Sequence, residues 1–184
     1  MATPEDVLDL PDVVAWEAWL DAHHDTAPEV WLRIAKKGSG HGSISIGDAL
    51  DGALCFGWID GQRNGFDEVS FLQRYCPRRA RSSWSQVNVE KVARLTAEGR
   101  MRPSGLAEVE AARADGRWDA AYERQSTASV PEDLAAALAA DPVAAAAFEA
   151  LSRSERYVVF LPVLKATTPG ARAKAVARAV DGLR

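Results

Sequence analysis

Arg74, Arg78, Arg79 and Arg81 fall within eight residues and run directly into Ser82, Ser83 and Ser85. Guanidinium forks hold carboxylate or phosphate in bidentate geometry, and hydroxyls complete such a shell. Trp58 and Asp60 stand two apart in a run with strand character, so they share a face. Together these types could capture an anion between aromatic rings. The candidate ligand-binding residues are therefore Trp58, Asp60, Arg74, Arg78, Arg79, Trp84, Ser85 and Asn88. A plainer reading stands beside this one. Arg74 alternates with Leu72 and Cys76, points partly inward and would neutralise Asp60 or Asp67, while Trp58, Tyr75 and Trp84 would be core. A third reading makes Asp60 a general base oriented by Arg74. A carboxylate beside arginine has a lowered pKa, however, and is a poor base near neutrality.

Other reactive types carry weaker signals. His23, His24 and His41 lack metal-ligand spacing, so no metal or other cofactor is expected. Cys55 closes a predicted helix rather than opening one, which does not lower a thiol pKa. Lys36-Lys-Gly-Ser-Gly-His-Gly-Ser43 has the glycines of a phosphate loop without the Walker spacing, and reads as a flexible surface loop.

Charge is distributed unevenly along the chain. Residues 1–61 carry 3 basic and 11 acidic side chains, residues 62–102 carry 9 and 4, and the whole chain has a net charge of −4. A basic middle can pair with the acidic first third inside the fold, attract an anionic ligand, or contact nucleic-acid phosphates. The overall sign and the lack of a helix-turn-helix or zinc-finger pattern weigh against the last. At 47% apolar and 26% charged the composition is that of an ordinary globular protein. No run approaches the roughly 20 apolar residues of a membrane span. The acidic start lacks a secretory pattern, and the two cysteines form no CxxC pair, so a cytoplasmic location is expected.

The elements that must position these residues follow from periodicity. Asp12 caps a helix carrying Val13, Trp16, Trp19 and Leu20, with both tryptophans as packing residues. Val30, Leu32 and Ile34 alternate as a strand, and a helix over 45–56 ends at Gly57. Strands over 58–61 and 69–76 form a hairpin that turns at Asn64-Gly65. Asn88 caps a helix to Glu98, and another helix follows Pro103. From Val130 onward four helices are predicted, three of them opened by Pro131, Pro142 and Pro169. The fold class is α+β: a small antiparallel sheet packed with helices over residues 1–125, then a helical segment over 130–184. The linker is placed at 126–129. The alanine-rich helices 131–140 and 142–151 have little area to bury, so residues 130–184 are expected to depend on docking through the apolar stretch from Tyr157 to Leu164.

The residues Val30-Trp-Leu, Lys36-Lys37, Ala53-Leu-Cys-Phe-Gly-Trp-Ile-Asp60, Gln73-Arg74, Pro77-Arg-Arg79, Ser83-Trp-Ser85, Asn88, Gly99-Arg-Met101 and Asp115-Gly-Arg-Trp118 resemble the YdeI/OmdA family of bacteriocin-protection or OmpD-associated proteins. Val130-Pro-Glu-Asp-Leu134 and the helices after it resemble the family's C-terminal module, whose closing Ala-Lys…Thr-Arg run is echoed only by Lys165-Ala166, Thr168 and Arg172. The resemblance implies a YjbR/CyaY-like first unit and a tie to stress or bacteriocin tolerance, and the leading reading of the residues is a non-enzymatic binding protein. It carries no catalytic residues. The partner expected is an anionic small molecule or a protein, with oligomeric state left open.

Overall fold

The computed structural model describes residues 7–184. The elements run β1 (Val7–Asp9), α1 (Val13–His23), β2 (Val30–Ala35), α2 (Ile46–Cys55), β3 (Trp58–Gly65), β4 (Ser70–Pro77), α3 (Gln86–Ala97), α4 (Pro103–Ala114), α5 (Glu132–Ala139), α6 (Pro142–Ala150), α7 (Arg153–Leu164) and α8 (Pro169–Asp181). The α+β class is as expected: a small sheet packed with helices, followed by helices alone.

The sheet order is β1-β2-β4-β3. β2 pairs antiparallel with β4, and β4 with β3. β1 adds a parallel edge on β2, with Val7 opposite Trp31. That three-residue strand is too short to show a period in the sequence.

Strict alternation places Val30, Leu32 and Ile34 inward on β2, where all are buried. The register sets Val30 opposite Tyr75 and Leu32 opposite Gln73, so these share one face. Trp16 of α1 lies 5.5 Å from the Tyr75 ring and covers that face. Its indole Nε1 donates to the Ala49 carbonyl of α2 at 3.0 Å, and Trp58 Nε1 donates to the His24 carbonyl at 3.0 Å. Each buried indole thus keeps a partner for its single polar atom.

Caps explain the helix limits. Asp12 accepts the Ala15 amide at 2.9 Å, as expected, and Ser45 caps α2 through the Asp48 amide at 3.1 Å. The α3 expectation is corrected: the helix begins three residues earlier, Ser85 Oγ accepts the Asn88 amide at 3.2 Å, and Asn88 lies inside the first turn.

The hairpin also differs from expectation. β3 continues through Asn64-Gly65, with a register shift between Asp60 and Arg63. Neither Asn64 nor Gly65 takes the positive φ that a type I′ turn needs. The reversal follows at Asp67, whose carboxylate accepts the Val69 amide at 2.9 Å and the Ser70 hydroxyl at 2.7 Å.

Two compact units result. One contains the sheet, the residues through Ser82 and Glu90–Asp115; the other contains Ser83–Val89 and Gly116–Arg184. The boundary expected at 126–129 therefore lies inside the second unit. In that unit Trp84 and Gln86 exchange backbone hydrogen bonds with Tyr122, drawing 83–89 to the segment after Gly116. Leu134, Leu138, Ala144, Phe148, Phe160, Val163 and Val180 form a core of its own.

Candidate functional site

The residues singled out by type and spacing are divided between the units. Trp58, Asp60, Arg74, Arg78 and Arg79 belong to the first, and Trp84, Ser85 and Asn88 to the second. Trp58 is 1% exposed and meets Trp19 edge-on at 5.9 Å. Trp84 is 2% exposed and lies 4.9 Å from Trp118. Neither ring faces solvent, so neither offers a stacking surface in this structure. Arg78 is buried and Arg79 exposed.

Arg74 has a different partner from either acid expected. Its Nε and Nη2 both donate to Glu29 Oε2, at 3.0 and 2.5 Å. The register explains this. Arg74 stands opposite Trp31 at the start of β2, close to Glu29, whereas Asp60 stands opposite Tyr75 and points to the other face. The guanidinium holds the Glu29 carboxyl below the usual carboxylate range. Asp67 pairs instead with Arg33 at 3.0 Å.

Without Arg74 beside it, Asp60 behaves contrary to the sequence argument. Desolvation pushes its carboxyl above the ordinary value, against the pull of Arg78, Arg63 and Lys91. Opposite it, the Tyr75 hydroxyl is buried with no hydrogen-bond partner among the described residues, and burial raises its pKa too.

Part of the basic middle of the chain pairs with the acidic first third. Asp51, buried on α2, receives Lys91 at 2.5 Å and also Arg94. Arg100 pairs with Glu17 at 2.7 Å. The pairing of Arg74 with Glu29 is a third instance. Four basic residues of the middle stretch, Arg74, Lys91, Arg94 and Arg100, are thus paired inside the first unit, with less charge left to meet a phosphate backbone.

The glycine loop, in contrast, lines a hollow of about 480 Å³. Lys36, Lys37, His41 and Arg63 stand on its wall with Ser39, Ser45 and Phe71, and no carboxylate contributes among the described residues. Gly38 and Gly40 take φ of +82° and +76°, which lets the loop curl where an L side chain would be strained. Ser43 pins the loop: its hydroxyl accepts the Ala35 amide at 2.9 Å. Lys36 Nζ donates to the Asp67 and Glu68 carbonyls at 2.9 and 3.1 Å. Arg63 donates from Nε to Gln73 Oε1 at 3.1 Å, and its guanidinium carbon lies 4.6 Å from the centre of the Phe71 ring. These contacts hold Lys36 by its ammonium and Arg63 by its inner nitrogen. The Lys37 ammonium and the His41 ring make no hydrogen bond or ion pair among the described residues. The arrangement can hold a small anion.

Most of this site escaped the residue-by-residue reading. The signal was present as Lys36-Lys37 followed by Gly38, Gly40 and Gly42 and then a helix cap at Ser45. Arg63 could be added only through the strand register.

Residues 8–108 match the family described as Domain of unknown function (DUF8412), and the chain belongs to it. Residues 127–184 match the family described as Bacteriocin-protection, YdeI or OmpD-Associated (OmdA). No curated protein and no solved structure matches the chain.

Proposed function

We propose that this member of the DUF8412 family is a non-enzymatic, cytoplasmic binding protein, associated with bacteriocin protection through its OmdA-matching C-terminal segment. Its ligand is a small phosphate- or carboxylate-bearing anion, held in the hollow between the 36–45 loop and the strand edge at Arg63 and Phe71. The observation that carries this reading is the charge of the wall: two lysines, an arginine and a histidine, with no acid among the described residues, in a chain of net charge −4. A local positive field in a concave site concentrates an anion that the whole molecule would repel. Lys37, with no internal partner, pays no cost of losing one when it turns to a ligand. Arg63 is pre-oriented by Gln73 and keeps outer nitrogens for donation.

Isothermal titration with pyrophosphate at low ionic strength tests the reading. Saturable binding is expected, weakened at least tenfold in the Lys37→Ala, Arg63→Ala double variant and by added salt. Absent heat at millimolar pyrophosphate, or unchanged affinity in that variant, overturns it.

A further inference from the structure

The second unit carries an open groove of about 740 Å³ between α7 and α8. Its floor is apolar: Val158, Leu161, Pro162, Ala175, Ala179 and Leu183 line it. Val158 is 69% exposed, which is high for a branched apolar side chain on a helix that also supplies core residues. The rim carries Lys165, Lys174 and Arg178, and no acid among the described residues lines the groove.

The three cations differ in commitment. The Lys165 ammonium lies 4.9 Å from the centre of the Tyr122 ring. The side chains of Lys174 and Arg178 make no ion pair or hydrogen bond among the described residues. They stand four apart on α8, on one face and one turn from each other. This contrasts with Arg172 on the same helix, which is locked on Asp133 at 2.6 Å. Uncommitted charge on α8 is therefore confined to the groove side.

We infer that this groove docks an acidic amphipathic helix of a partner protein. Charge complementarity supplies the sign, because a rim of lysine and arginine without a carboxylate selects Asp and Glu. Shape supplies the form. The groove follows α8 from Ala171 to its end at Asp181, roughly 15 Å at about 1.5 Å per residue, and closes at Leu183 just beyond; that is close to the length of a three-turn helix. Small side chains along that line let a partner backbone approach, while Val158, Leu161 and Leu183 meet its apolar positions at i, i+3, i+4 and i+7. The inference concerns the second unit alone and does not rest on anion binding by the first.

Fluorescence anisotropy on the full chain decides it. The probe is a fluorescein-labelled 18-residue helix with leucine at i, i+3, i+4 and i+7 and glutamate flanking them; the control replaces every glutamate by lysine. Saturable binding of the glutamate peptide is expected in the micromolar range, falling at least tenfold in Lys174→Glu, Arg178→Glu and in Ala175→Trp, which fills the groove. Thermal melts confirm that each variant stays folded. Equal binding of the lysine peptide, unchanged affinity in both variants, or binding of oleate vesicles without the peptide overturns the inference.

Discussion

A Cβ placed on Gly105 would stand 2.2 Å from the carbonyl oxygen of Cys55. The start of α4 therefore lies directly against the end of α2, and the same carbonyl accepts the Arg102 amide at 3.0 Å. Gly57, with φ of +78°, makes the reversal out of α2 that permits this approach.

Gly105→Ala should accordingly destabilise the chain by about 3 kcal/mol, because the obstacle is backbone that cannot rotate away. Chemical denaturation would show a lower midpoint at unchanged slope. Gly170→Ala serves as the control, since nothing lies within 4 Å of a Cβ there. A Gly105→Ala midpoint equal to the control's would refute the close approach.

Much of this architecture was legible from local pattern. Alternation at Val30, Leu32 and Ile34 and the cap at Asp12 each depend on a few neighbouring residues. The four C-terminal helices were equally plain, since proline openings and alanine content act over a single turn. What local pattern could not supply was pairing across distance. Arg74 reaches Glu29 and not Asp60 because of a strand register that no motif encodes. Asn64-Gly65 has the composition of a tight turn, yet the register shift after Asp60 carries the strand through it. The candidate site moved for the same reason: Arg63 joins Lys36 and Lys37 only once β3 is laid beside β4.

The two acidic anchors of the first unit should differ in weight. Asp51 has a side chain only 9% exposed and serves two cations. Asp51→Ala should cost about 2 kcal/mol, less than for fully enclosed pairs because Lys91 and Arg94 can rehydrate. Glu29→Gln removes a more open pair with Arg74 and should cost under about 1 kcal/mol. Equal thermal shifts for the two variants would contradict this ranking.

Asp60 offers a test by pH. Asp60 is exposed at the surface, yet the protein around its carboxyl raises the folded-state pKa, so folding is slightly disfavoured once it ionises, and stability falls a little as pH rises from the unfolded carboxylate value through the folded one. Asp60→Asn should therefore melt at or above the parent temperature at pH 7. The gap should close below about pH 4, where the acid is protonated in both states. An Asp60→Asn chain less stable than the parent at neutral pH would mean that its neighbouring cations outweigh desolvation.

The C-terminal helices have their own core, to which the Tyr157 to Leu164 stretch contributes. Phe160 and Val163 from that stretch are buried among Leu134, Leu138, Phe148 and Val180. The unit nevertheless extends back past residue 130. Tyr157 donates its hydroxyl to the Glu123 carbonyl at 2.8 Å, Gln125 bonds Ser154 at 2.7 Å, and Lys165 lies on Tyr122. A fragment of residues 130–184 loses all three contacts, while 116–184 keeps them. With so few residues, either fragment is close to the limit at which burial offsets chain entropy. The longer one should unfold cooperatively, and the shorter should melt at least several degrees lower or without a cooperative transition. Phe160→Ala should abolish the transition of 116–184, since deleting a buried phenyl costs about 3–5 kcal/mol. Circular dichroism melts of the three samples give the answer, and identical transitions for 116–184 and 130–184 would place the unit's boundary at 130 after all.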